Sequence, residues 1–294
     1  IAYALTIRKL AREIVLIDIH EEKTIGEALD IQHGIPDMGI SSVRAGTYAD
    51  CKDCDLIIIT AGRNRKPGET RLDLIAGNSA ILKNVVDQMK PHYTKGVIMI
   101  VSNPVDVLVY QCTKWMGLPN GMVFGTGCIL DSSRFTRLIA DYTRLNTEVV
   151  KATIVGEHGD AQIPIWSRVS IAGVPIQEYC ENVGLRWGEN IRKDISDKVR
   201  EMGATIIKGK GRTHYGIATC VCYLAEAVLN QRLTIAPVST MFQGEYGIED
   251  VCLSVPSIIG VNGVEKRLEE RWAEEEFLAF RQAAEKMRNV LKTL

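Results

Sequence analysis

The chain has 294 residues, enough for one large domain or two of ordinary size, and its net charge is −1. With 46% apolar and 24% charged residues the composition is that of a globular protein, and the scattered basic residues argue against a nucleic-acid partner. No apolar run approaches the ~18–20 residues of a membrane span, and the apolar start at residues 1–5 precedes Arg8, Lys9 and Arg12, the wrong order for a secretory signal.

Residues 1–10 read as a helix. Glu13-Ile14-Val15-Leu16-Ile17-Asp18 is a short β-branched run ending in an acid. A helix-length stretch covers residues 23–32. Asp55-Leu56-Ile57-Ile58-Ile59-Thr60-Ala61-Gly62 is a second strand, residues 72–89 a second helix, and residues 96–104 a third strand stopped by Pro104. Continuous apolar strands alternating with helices predict a doubly wound parallel sheet covered on both faces.

The pattern changes after about Gly125. Helices are expected at residues 131–142, 187–208, 214–230 and 273–291, with a strand at 149–155. Residues 233–241 and 251–259 read as antiparallel strands, with turn signals at Gly244 and Gly247. This α+β character suggests a second domain, and the expected division is 1–125 and 126–294.

Eight cysteines are present, and Cys51-Lys52-Asp53-Cys54 is a lone C-x-x-C. A structural zinc site needs four ligands, so no metal is expected, and reduced thiols fit a cytoplasmic protein. Ligands of a doubly wound sheet bind beyond the carboxyl ends of its strands. Asp18 stands at such an end, where an acid accepts from ribose hydroxyls and disfavours a 2′-phosphate, pointing to NAD rather than NADP. By itself a strand-end Asp is equally a turn residue. The glycine fingerprint that normally precedes this acid by ~20 residues is absent, so a strand and its phosphate-binding turn are expected to lie before Ile1.

Residues 61–71, Ala-Gly-Arg-Asn-Arg-Lys-Pro-Gly-Glu-Thr-Arg, read as a solvated loop on composition. Their place at a strand end also suits a loop that closes over an anionic substrate. Asp131 and Arg134 are three apart, a spacing that puts both on one helix face. Gly156-Glu157-His158-Gly159-Asp160 presents a histidine between glycines. Singly, these residues are equally a structural ion pair and a turn histidine.

Together the ordered motifs resemble the NAD-dependent lactate/malate dehydrogenase family, in its lactate-dehydrogenase-like branch, over essentially the whole chain. They are residues 14–18, the loop 65–71, Ser102-Asn103-Pro104-Val105-Asp106, Leu130-Asp131-x-x-Arg134, and residues 156–160. The resemblance implies a Rossmann-type NAD-binding sheet followed by a substrate domain. It implies His158 as acid/base, Asp131 as its orienting carboxylate, and Arg134 as the clamp on the substrate carboxylate. Arg71 would polarise the C2–O bond, and Asn103 would orient the substrate oxygen near the nicotinamide. Asp18, Ala61, Gly62 and Asn103 would contact NAD, and no metal is involved. A homo-dimer or homo-tetramer is implied, built through helices such as the one containing Asp30-Ile31-Gln32-His33-Gly34.

Within the family, glutamine at the position of Arg65 accompanies lactate/pyruvate and arginine accompanies malate/oxaloacetate. An arginine facing a methyl group in a dry pocket costs ~3–5 kcal/mol, roughly 10²–10⁴ in rate ratio. Malate is therefore the expected substrate and lactate the alternative, with a non-catalytic nucleotide-binding relative as a third reading. Pro237, where lactate dehydrogenases usually carry threonine, weakens the lactate reading. Thr136 and Lys151 replace the arginine and histidine that accompany activation by fructose 1,6-bisphosphate, so no such activation is expected.

Overall fold

A computed structural model describes residues 1–38, 42–64 and 68–294, apart from the side chains of Asp37, Met38 and Arg71. The first elements are α1 (Ala2–Ile7), β1 (Glu13–Leu16), α2 (Glu21–Met38) and β2 (Ser42–Ala45). They are followed by β3 (Leu56–Ile59), α3 (Arg71–Met89), β4 (Val97–Ile100), α4 (Val105–Met116) and β5 (Val123–Gly125). β1 pairs with β2 in parallel, and β3, β4 and β5 form a separate parallel set. Among the described residues no strand bridges β1 to β3.

All four residues of β4 are buried, as a parallel strand covered on both faces requires. Ile98 and Ile100 pack on Leu82, Val86 and Met89 of α3 and Leu108 of α4. Val97 and Met99 face the other way, onto Val221, Leu224 and Val228. The period of two in side-chain direction thus makes two cores from one strand. α3 starts at a capping box, in which Thr70 Oγ1 accepts from the Asp73 N–H and the Asp73 carboxylate accepts from the Thr70 N–H at 2.9 Å.

The remaining chain supplies α5 (Ile129–Thr143), β6 (Val150–Lys151), β7 (Ile154–Gly156), β8 (Gln162–Pro164), β9 (Ser170–Ile171) and β10 (Val174–Pro175). Then come α6 (Ile176–Asn182), α7 (Glu189–Lys210), α8 (Tyr215–Leu229), β11 (Thr234–Gln243), β12 (Glu249–Gly260), β13 (Gly263–Arg267) and α9 (Glu274–Leu291). β11 and β12 form a long antiparallel pair, as the sequence reading expects. β11 meets β5 at Ser239 and Gly125, so the parallel sheet continues without a break into an antiparallel one, in the order β3-β4-β5-β11-β12-β7-β8.

Several expectations need correction. The helix expected at 23–32 extends to Met38 and carries Pro36 inside it. The single strand expected at 149–155 is two short strands in different sheets, because β6 pairs with β9 and β7 with β8 and β12. α4 went unrecognised because Val105 to Val109 are all buried, which leaves no polar face to set a period. The turn expected at Gly244 and Gly247 does connect β11 to β12, through a short 3-10 turn at Glu245–Gly247.

Candidate active site

α5, α4 and the loop after β7 converge at the site. Asp131 lies in the first turn of α5 and is 2% exposed. Its Oδ2 is 2.5 Å from Nδ1 of His158, and its Oδ1 accepts from Nη1 of Arg134 at 3.0 Å. The structure therefore brings the Asp131/Arg134 helix face and the glycine-flanked histidine together.

The local chain explains how His158 gets there. Gly156 pairs with Ser254 at the end of β7 and adopts φ +91°. A Cβ on it would lie 2.9 Å from Cδ1 of Ile163 and 3.0 Å from the Ala161 carbonyl oxygen, so only glycine turns the chain here without strain. Ser132 of α5 holds β7 from behind by accepting from the Ile154 N–H at 2.9 Å.

Burial opposes the charge on Asp131, yet the adjoining His158 and Arg134 outweigh it and hold the carboxyl below its usual range. Burial likewise opposes the charge on His158. The Asp131 charge and hydrogen bond outweigh that, so the imidazole is raised above its ordinary value. The pair thus favours carboxylate facing imidazolium, with the ring's other nitrogen left for chemistry.

A cleft of about 1910 Å³ runs past this cluster and is lined by Asp18, Gly62, Asn103, Arg134, His158 and Thr213, among others. Asp18 follows β1 at its carboxyl end, and its Oδ1 accepts from the His20 N–H at 3.0 Å. Ala61 follows β3, where its carbonyl oxygen accepts from Ser102 Oγ at 2.6 Å. The strand-end carboxylate, Gly62 and Asn103 share one cleft with the acid/base cluster, and the set fits a dinucleotide lying across the strand ends. Asp18 and Gly62 are residues that could hold it, and Asn103 lines the same cleft.

Arg65 lies outside the described residues, as does the side chain of Arg71, so the substrate-loop expectations for both fall outside them too. Pro237 is a correction. It sits on β11 opposite Pro256 and lines a different cavity, of about 500 Å³, together with Thr136 and Tyr223. Thr213, which follows the left-handed turn at Gly211 closing α7, is among the threonines that line the catalytic cleft, with Thr24, Thr60 and Thr126. The proline at 237 therefore says nothing about the substrate pocket.

Sequence reasoning missed two other residues. Asn78 of α3 is buried; its Nδ2 donates to the carbonyls of Asn103 (2.6 Å) and Arg63 (3.1 Å), and its Oδ1 accepts from the Arg63 N–H at 2.9 Å. It ties the segment after β3 to the one after β4; an asparagine inside an apolar helix was the available signal. Asp106 of α4 is 2% exposed and accepts from the His158 N–H through Oδ2 at 2.8 Å. Its signal was a carboxylate in the first turn of a buried helix.

The eight cysteines are unpaired, and burial pushes the Cys51 thiol up to about 11, which suits reduced packing residues. Among the described residues no cluster of His, Cys, Asp and Glu could hold a metal ion, and no helix is long and apolar enough to cross a membrane.

Residues 1–125 match the family model described as lactate/malate dehydrogenase, NAD binding domain, and residues 128–294 match its alpha/beta C-terminal domain. The chain is 42% identical to an L-lactate dehydrogenase of Thermoanaerobacterium saccharolyticum, covering 100% of this chain and 94% of that protein. It is 38% identical to an L-lactate dehydrogenase of Acetivibrio thermocellus, with coverage of 100% and 92%. It superposes on the minor L-lactate dehydrogenase of Enterococcus mundtii in its ligands-bound form with a TM-score of 0.95 at 39% identity, covering 100% and 93% of the two chains. These relatives are lactate rather than malate dehydrogenases, so the malate expectation finds no support among them. What these matches share with the strand-end cleft and its acid/base cluster is a common chemistry: the chain belongs to the lactate/malate dehydrogenase family and is an NAD-dependent 2-hydroxy acid dehydrogenase with a Rossmann-type fold.

Proposed function

We propose that the reaction is the interconversion of L-lactate and pyruvate. The observation that carries this reading is the full-length likeness to proteins named L-lactate dehydrogenases, at 38–42% identity. The objection drawn from Pro237 falls away because that residue lines a different cavity from the cleft. Malate remains a second reading on one observation, the arginine at position 65.

The roles follow from the geometry. Arg134 pairs with the substrate carboxylate through its guanidinium fork, while one of its nitrogens stays on Asp131. His158 takes the hydroxyl proton during oxidation and returns it during reduction. Asp131 keeps the Nδ1 side of the ring occupied, so the proton moves at Nε2, and its charge stabilises the imidazolium. The nicotinamide, when bound, accepts or supplies the hydride at C2. Asn103 orients the substrate oxygen, and Arg71 polarises the C2–O bond once its loop closes. Residues 1–125 carry the dinucleotide and 126–294 the substrate. Exposed Ile25 and Leu29 on α2 support a homo-dimer or homo-tetramer built through that helix, and the reduced thiols support a cytoplasmic setting.

NADH oxidation with pyruvate and with oxaloacetate, compared as kcat/KM, tests the substrate. Pyruvate favoured, with Arg65→Gln changing the ratio by less than about tenfold, upholds the lactate reading. Oxaloacetate favoured by about 10² or more, and lost in Arg65→Gln, replaces it with malate.

A further inference from the structure

His158 is held at two points by two different helices. Asp131 of α5 holds its ring, and Asp106 of α4 holds its backbone. The second contact matters because His158 stands outside any helix or strand, two residues beyond the left-handed Gly156, so no regular backbone ladder fixes its position. Asp106 also stands three residues after Asn103 on the segment that lines the cleft, so one short stretch of chain places both the amide and the histidine.

We propose that Asp106 is a positioning residue of this dehydrogenase: by accepting the His158 N–H it sets the imidazole over Asp131, and it acts through that hydrogen bond rather than through negative charge. The inference rests on the dehydrogenase reading of the site but not on which 2-oxo acid is reduced.

The surroundings disfavour a charge on Asp106. Asp106 is buried, and neither its Oδ1 nor the neighbouring buried Ser239 hydroxyl of β11 makes a well-formed hydrogen bond, although the two lie close enough to interact. The charged and titratable groups around it are His158, Asp131 and the buried thiols Cys128 and Cys252. Burial raises Asp106 above the usual carboxylate range and the Asp131 charge adds to this, while Ser239 and His158 pull the other way without prevailing. Two carboxyls of one site are therefore driven apart: Asp131 towards the ion and Asp106 towards the acid. A neutral acid turns its O–H towards Ser239 and still accepts from His158. An asparagine reproduces that pattern, with its oxygen to His158 and its NH₂ to Ser239.

The test compares Asp106→Asn and Asp106→Ala in the full chain, using NADH and whichever of pyruvate and oxaloacetate the unaltered enzyme reduces faster. Asp106→Ala is expected to lower kcat by about 10²-fold, the scale of a misplaced catalytic group, with KM changed less than about threefold. Asp106→Asn is expected to recover kcat to within about fivefold and to leave the alkaline limb of the pH profile within about 0.3 units. An Asn variant as slow as the Ala variant, or a limb moved down by about one unit, overturns the proposal, since either means that the charge matters. A folded Ala variant with full kcat and only a lower Tm also overturns it. If Asp106→Ala does not fold, kcat and the pH limb of Asp106→Asn decide by the same limits. An unaltered enzyme that reduces neither acid counts against the proposed substrate, a result separate from every outcome for Asp106.

Discussion

Oδ2 of Asp131 lies 2.5 Å from Nδ1 of His158, on a carboxylate whose other oxygen already accepts from Arg134. Acid/base group and substrate clamp are thereby joined through one side chain that is 3% exposed. Perturbing any one of the three reaches the other two.

The first consequence is a pH dependence. The His158 pKa is raised above its ordinary value of about 6.5. Reduction of the 2-oxo acid needs the imidazolium, so kcat/KM in that direction holds through pH 6.5 and falls only as pH passes the raised value. Oxidation needs the neutral ring and rises across the same range. For stability, the raised imidazole contributes fully below about 6.5, and that contribution is lost as pH climbs through the raised value. The lowered Asp131 contributes above its unfolded value of about 3.9, and that is lost as pH falls through the lowered one. Since one contact underlies both shifts, it counts once. Profiles of kcat/KM in both directions, with thermal melts across the same buffers, check the signs.

Asp131→Asn keeps the shape and removes the charge. His158 then loses its largest raising influence, and both kinetic limbs move to lower pH. The loss of imidazolium stabilisation costs about 10²-fold or more in kcat. Steady-state rates from pH 5 to 9 read both effects; unmoved limbs would separate Asp131 from the acid/base step.

Arg134→Lys keeps the charge and loses the planar fork. Hydrogen bonds to charged groups contribute about 1.5–3 kcal/mol, so kcat/KM for the 2-oxo acid should fall about 10–10²-fold, chiefly through KM. NADH affinity, measured by fluorescence titration, is expected to hold because the arginine addresses the substrate. A lysine variant with an ordinary KM would place the carboxylate elsewhere in the cleft.

Gly156→Ala puts a Cβ into a φ of +91° and against Ile163 and Ala161. Backbone strain and crowding together cost about 2–3 kcal/mol, a Tm lower by about 5 °C or more. Because His158 follows two residues later, kcat should fall with it, which a melt and a rate assay on one preparation will show.

The local patterns of this chain determined much by themselves. Apolar β-branched runs at 14–17 and 56–59 announced strands β1 and β3, which the fold leaves largely half-buried, and the Asp131/Arg134 spacing could project only from one helical face. Such features are legible because their periods arise within a few residues of chain. Tertiary structure alone decided what depends on distant segments meeting. The 149–155 run divides between two sheets because β9 and β12 claim its halves separately. Thr213, and not Pro237, enters the cleft because α7 ends at Gly211 beside it while β11 turns Pro237 towards another cavity. Asp106 reaches His158 across 52 positions of sequence, a hydrogen bond that no periodicity announces. Hydrophobic period is a property of neighbours along the chain, whereas the protonation state and purpose of a buried carboxylate belong to whatever the fold packs around it.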